Sequence, residues 1–139
     1  MDFFTALRIS GSGLSVERAR VNLASSNLAN AEVTRTPGGG HYKRLDPVLE
    51  SVPFDEYLSA ADGPAGVRVS KVVADQTAGR RVYSPGHPDA DPEGFVTFPN
   101  VNPIHEVVNL MAASRGYEAN ATAVETVKGM ATRALDIAR

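Results

Sequence analysis

The sequence predicts an α+β chain. Long N- and C-terminal helices pair as an antiparallel coiled coil, and a small β-rich, loop-containing insertion lies between them. All nine prolines lie between Pro37 and Pro103, so both ends are free to be helical while turns punctuate the middle. The N-terminal end repeats apolar side chains every seven residues. The C-terminal end opens on a helix-start signal and then keeps a 3-4 apolar spacing to Ala138. These boundaries divide the chain into a discontinuous helical domain, residues 1–34 with 103–139, and a middle domain, residues 35–102.

The first helix is expected over about Asp2 to Asn30. Leu7, Leu14, Val21 and Leu28 form one seven-residue series, and Ile9, Val16 and Leu23 form a second. Two residues along a helix is about 200° of rotation, so the two series look toward nearly opposite sides. Asp2 suits the N-terminal cap. Gly11 and Gly13 each weaken the helix by about 1 kcal/mol relative to Ala, so a bend or break is expected there.

In the middle, "VRVSKVV" (Val67 to Val73) and "GFVTFP" (Gly94 to Pro99) alternate as strands do. "YKRLDPVLESV" (Tyr42 to Val52) is a weaker strand, limited by Pro47 to an edge or a bend. "TPGGGH" follows no strand and opens no helix, so it reads as a flexible linker.

The last helix begins at "NVNPIHEVV", with Asn102 as N-cap and Pro103 at the first helical position. Val107, Leu110, Ser114, Tyr117, Ala121, Val124, Ala131, Leu135 and Ala138 then recur at 3-4 spacing, interrupted by Lys128. Such a helix is about 54 Å long, more than a 139-residue chain can bury alone.

Composition excludes several functions. With 14 Lys plus Arg against 16 Asp plus Glu there is no basic excess for nucleic acid. No apolar run is long enough to span a membrane, and the N-terminus does not resemble a secretion signal. The absence of cysteine removes disulfides, thiolate metal sites and thiol catalysis together. "DADPEG" (Asp89 to Gly94) starts like a calcium loop, but Asn100 stands where the bidentate acid is needed, so it reads as a polar turn. His41, His87 and His105 lack the i, i+4 partner of a helical metal pair. His87 and Asp89 could form an acid–base pair, yet a turn hydrogen bond accounts for both. No catalytic, metal or cofactor site is predicted.

The stretch "VNLASSNLANA", Val21 to Ala31, carries no charge, although a surface helix normally shows charge on its wet face. With apolar series on opposite sides, both sides are expected to be covered, one by the C-terminal helix and the other by a different subunit. Asn22, Asn27 and Asn30 would then sit in or beside packed contacts, where a polar group fixes register.

"SSNLANAEVT", with "GSGL" upstream, is similar to the N-terminal motif of the bacterial flagellar rod and hook proteins. "PNVNPIHEVVNLMAASRGYEAN" resembles that family's C-terminal helix, and "YSPGHPDADPEGFVTFPNVN" narrows the likeness to its short proximal-rod type. Val33 departs from a usual threonine, His105 from a usual acid, and the last turns are richer in Ala and Gly. The resemblance implies a structural subunit whose paired terminal helices pack against neighbours into a hollow periplasmic drive shaft for motility. It implies other rod proteins and further copies of the chain as partners, with basal-body rings as further contacts. It also implies passage, unfolded and without a cleaved signal, through the flagellar export apparatus. The alternatives are another axial protein (sister rod, distal rod or hook), or a small periplasmic hydrolase or metal-binding module built on His87, Asp89 and Asp91.

Overall fold

The computed structural model describes residues 3–53 and 65–137. Its elements in chain order are α1 (Phe3–Ala29), β1 (Leu45–Pro53), β2 (Ala65–Ala74), β3 (Arg80–Tyr83), β4 (Phe95–Phe98) and α2 (Pro103–Ile137). Asp2 and Ala138 lie outside the described residues. The class is α+β, two long helices with a small β insertion.

α1 runs unbroken through Gly11 and Gly13, where the sequence suggests a bend. Packing is the reason at Gly13. A Cβ built there would lie 2.8 Å from Asn120 Oδ1, so the missing side chain lets α2 come close. Gly116 repeats the arrangement from the other side, where a Cβ would lie 2.9 Å from Glu17 Cδ. Asn27 reaches Glu106 farther along. Gly13 opposite Asn120, Glu17 opposite Gly116 and Asn27 opposite Glu106 make the helix pair antiparallel. Counting outward from Gly13, Phe3 reaches the level of Met130, so residues 131–137 of α2 project about 10 Å beyond α1.

β1 and β2 form an antiparallel hairpin with an irregularity at Val48/Leu49. This ribbon lies on α1, where Val67 N–H donates to Ser12 Oγ at 3.1 Å. β3 pairs with β4 from Arg80↔Phe98 to Tyr83↔Phe95. The edge-to-face contact of Tyr83 with Phe95 (5.3 Å between centroids) and Arg81 over the Phe95 ring (4.7 Å) secure that second ribbon. Among the described elements, α2 packs only against α1.

The segment read as a flexible linker is a closed turn. Thr36 N–H donates to Gly40 O and Gly39 N–H to Thr36 O, each at 2.9 Å, and Tyr42 N–H reaches back to Val33 O. Gly39 and Gly40 both adopt positive φ (84° and 73°), a conformation that glycine takes without strain and that closes the turn.

The two glycines of α1 separate propensity from packing. A Cβ at Gly11 would meet nothing within 4 Å, so Gly11→Ala should stabilise by about 1 kcal/mol. Gly13→Ala gains the same propensity but must displace the Asn120 carboxamide. Thermal unfolding of the two variants is expected to place Gly11→Ala a few degrees above the natural chain and Gly13→Ala below Gly11→Ala.

Candidate assembly interface

The centre of the helix pair is a polar cluster. Asn27 is 1% exposed, and all four of its hydrogen-bonding positions are used. Its Oδ1 accepts from Tyr42 OH and Leu45 N–H, both at 2.9 Å. Its Nδ2 donates to Leu45 O at 2.9 Å and to Glu106 Oε2 at 3.1 Å. Glu106, also 1% exposed, accepts from Arg44 Nε through Oε1 at 2.7 Å. Arg44 also pairs with Asp46. Burial works against the charge on Arg44, but the Glu106 and Asp46 carboxylates outweigh it and raise its pKa above the ordinary arginine value. One cluster therefore ties α1, the entry to β1 and the first turns of α2.

Around this cluster the facing residues are small or polar. Gly13, Glu17, Ala24 and Asn27 on α1 meet Glu106, Ala113, Gly116 and Asn120 on α2, with Ala24 and Ala113 fully buried. Both sets follow 3-4 spacing, and both fall between the apolar series that dominate the sequence. Glu17 is held by Arg20 on its own helix at 2.9 Å.

The two apolar series of α1 flank this seam and meet different surroundings. Val16, 3% exposed, shares a pocket with Val67 and Val69 of β2. Ile9 and Leu23 also border the hairpin. Sequence alone leaves open which series meets the C-terminal helix and which another subunit. The Ile9, Val16 and Leu23 side is met by the chain's own ribbon, and the residues facing α2 lie between the two series. On the other flank, Val21 lines a shallow groove with Ser114 and Tyr117 of α2, rimmed by Arg18 and Glu118. By their seven-residue spacing Leu7, Leu14 and Leu28 share that side of α1, and all are half-buried. Leu110, Ala121 and Val124 share it on α2, also half-buried, while Val107, Tyr117 and Leu135 are exposed. Among the described residues, the helix pair therefore has the hairpin on one side and an open apolar side opposite.

α2 carries a second uncovered patch. Ile104, Val107, Val108 and Met111 are all exposed and follow i, i+3, i+4, i+7 spacing. At its start, Asn102 Oδ1 accepts from Ile104 N–H at 3.0 Å, and Pro103 occupies the first helical position. Asn30 turns its Nδ2 back to Ser26 O at 2.8 Å, whereas Asn22 is exposed.

The acidic turn is occupied by structure. Asp89 Oδ2 accepts from Thr34 Oγ1 at 2.8 Å, and its Oδ1 faces Arg35 at 3.6 Å. His87 Nδ1 accepts from Asp89 N–H. Asp91 accepts from the N–H groups of Phe95 and Glu93 and from Arg81, and these contacts hold its carboxyl below the usual carboxylate range. Sequence reasoning does not single out Arg44, Tyr42 or Glu106. For Glu106 the available signal is an acid one residue before the apolar stripe begins, in the first turn after the Asn102 cap.

Comparison with known proteins adds the family. A family model described as "Flagella basal body rod protein" matches residues 7–35, and one described as "Flagellar basal body rod FlgEFG protein C-terminal" matches residues 93–137. The flagellar basal-body rod protein FlgC of Bacillus subtilis is 40% identical, with all of both chains covered. That of Borreliella burgdorferi is 35% identical over 99% of this chain and 98% of its own. That of Escherichia coli O157:H7 is 40% identical over 93% of this chain and 92% of its own.

Removing the central carboxamide tests the cluster. Asn27→Ala leaves the Leu45 peptide groups, Tyr42 OH and a Glu106 oxygen without a partner and should destabilise the chain by about 3 kcal/mol. Urea unfolding of Asn27→Ala, Glu106→Ala and the double variant should give strongly non-additive losses, because the two residues share one network.

Proposed function

The chain belongs to the flagellar basal-body rod protein family, within its FlgC group, and from that premise we propose that it is a structural subunit of the proximal rod. It assembles with other rod proteins and with further copies of itself into the hollow shaft that carries torque across the periplasm. Residues 1–34 with 103–139 are the assembly domain, their helices wound as an antiparallel coiled coil, and residues 35–102 are the middle domain. The chain reaches the growing rod through the flagellar export apparatus. It is not an enzyme and takes no cofactor.

One observation carries the reading. The open side of the helix pair, from Leu7 to Leu28 on α1 and from Leu110 to Val124 on α2, has no cover within the described chain. An amphipathic helix gains most of its stability from burying its apolar face, so a pair with one side bare is suited to neighbours. The exposed patch from Ile104 to Met111 gives α2 a second side to offer. A non-closing arrangement of such heterologous contacts builds a helical tube. The hydrolase reading loses its support, since Asp89 and Asp91 are committed to Thr34, Arg35, Arg81 and backbone N–H groups.

The two flanks of α1 should respond differently to charge. Leu14→Asp or Leu110→Asp, on the open side, should leave a folded monomer but almost abolish completed basal bodies and swimming. Val16→Asp buries an unpaired charge against the hairpin and should lower the stability of the monomer itself by about 3 kcal/mol or more. Asn102→Ala loses a cap contribution of about 1 kcal/mol and should only slow rod completion. His87→Ala should have the mildest effect. Basal-body counts and monomer melting curves read all of these, and normal counts with Leu14→Asp would refute the open-side assignment.

A further inference from the structure

The apolar side chains that flank the helix pair do not define its axial alignment. In α1, Leu7, Leu14, Val21 and Leu28, and likewise Ile9, Val16 and Leu23, recur every seven residues. In α2 the stripe also repeats at seven, with Leu110, Tyr117, Val124 and Ala131 in one row and Val107, Ser114 and Ala121 in another. Sliding one helix past the other by seven residues, about 10.5 Å, therefore brings an apolar or small residue to nearly every flanking position again. The seam between the flanks is different. In the observed alignment Glu17 stands over Gly116 and Asn27 meets Glu106.

Each one-heptad slide has a distinct outcome at the seam. In one direction Glu106 moves opposite Arg20 and Asn109 opposite Glu17, a credible competitor because it pairs a buried carboxylate with a cation. In that alignment Asn27 runs past the start of α2 and loses its carboxylate partner. In the other direction Asn27 faces Ala113, and Glu106 passes beyond the last turn of α1, which ends at Ala29. The observed alignment alone satisfies the Asn27 carboxamide on all four positions while Arg44 engages Glu106. A buried polar group that is weaker than an apolar contact but selective for one pairing is the established way to set register in packed helices.

We propose that the Asn27–Glu106–Arg44 cluster is a register lock, which selects one axial alignment of α1 and α2 over the one-heptad slides that the apolar repeats permit. The seam residues Gly13, Gly116 and Asn120 reinforce the choice through shape, and the Arg20–Glu106 pairing is the main alternative that it excludes. The lock also fixes the height of the hairpin on the helix pair, because Asn27 bonds both peptide groups of Leu45 at the start of β1.

The chain has no cysteine, so introduced pairs report alignment directly. Glu17→Cys with Gly116→Cys reads the observed register. Glu17→Cys with Asn109→Cys and Glu17→Cys with Ala123→Cys read the two slides. Oxidation of the full-length monomer should cross-link only the first pair in the natural background. In an Asn27→Leu background, one or both slide pairs should gain about tenfold in cross-linked fraction, as loss of a buried hydrogen bond to a charged group implies. Helicity is checked by circular dichroism. Where Asn27→Leu loses its helices, Asn27→Ser, which stays polar but cannot reach all four partners, carries the same comparison. Cross-linking confined to the first pair in a folded variant overturns the proposal. Loss of helix in both variants also overturns it, because the cluster would then be a condition of folding and not of alignment.

Discussion

Because a primary amide has two donors and two acceptor positions, burying Asn27 between two helices and a strand obliges the chain to bring four partners to it at once. Tyr42, the Leu45 peptide and Glu106 answer that demand, and Glu106 in turn needs Arg44. A half-satisfied version of this cluster would cost more than an apolar core of the same size. The closed turn at residues 36–40 belongs to the same constraint, since it returns the chain so that Tyr42 and Arg44 reach the helices. The closed turn, the start of the hairpin and the two helices thus all meet at one buried side chain.

Much of the architecture is legible in the sequence. Prolines confined to the middle, and Asn102 followed by Pro103, mark the helices and the insertion with little ambiguity. The inner surface of the helix pair is not legible, for a physical reason. It is made of Gly13, Ala24, Ala113, Gly116 and polar partners, and none of these raises an apolar signal. The Leu and Ile series stand out instead, and they are the flanks. The absence of charge from Val21 to Ala31 is a sound indication that the segment is not simply solvated, and Asn27 is where it leads. The hairpin as the cover for Val16 cannot be read, because it depends on a contact between Ser12 and Val67 that has no sequence pattern. β3 escapes sequence reading because four residues with two arginines carry too little alternation to register.

The arrangement suits a shaft. One side of the helix pair is secured internally by the hairpin, so each subunit keeps a defined shape. The opposite side remains apolar and uncovered among the described residues, as a side proposed to meet neighbours requires. The buried polar residues Asn27 and Glu106 sit inside the helix pair, and the exposed apolar side chains lie on its outside. The β3–β4 ribbon and the acidic turn are tied to the chain after α1 through Asp89, Thr34 and Arg35, and neither β3 nor β4 packs on α2.

The unequal lengths of the two helices carry a mechanical consequence. α2 continues about 10 Å past the level at which α1 begins, with Leu135 and Ile137 exposed on that extension. Units with flush ends stacked along an axis would meet at butt joints, where twisting loads a thin plane of contact. Units with a projecting tongue meet as lap joints, and the load is taken as shear spread along the overlap. A non-covalent shaft built from such pieces has no single plane on which all its contacts must fail together, so it can transmit rotation through weak individual interactions.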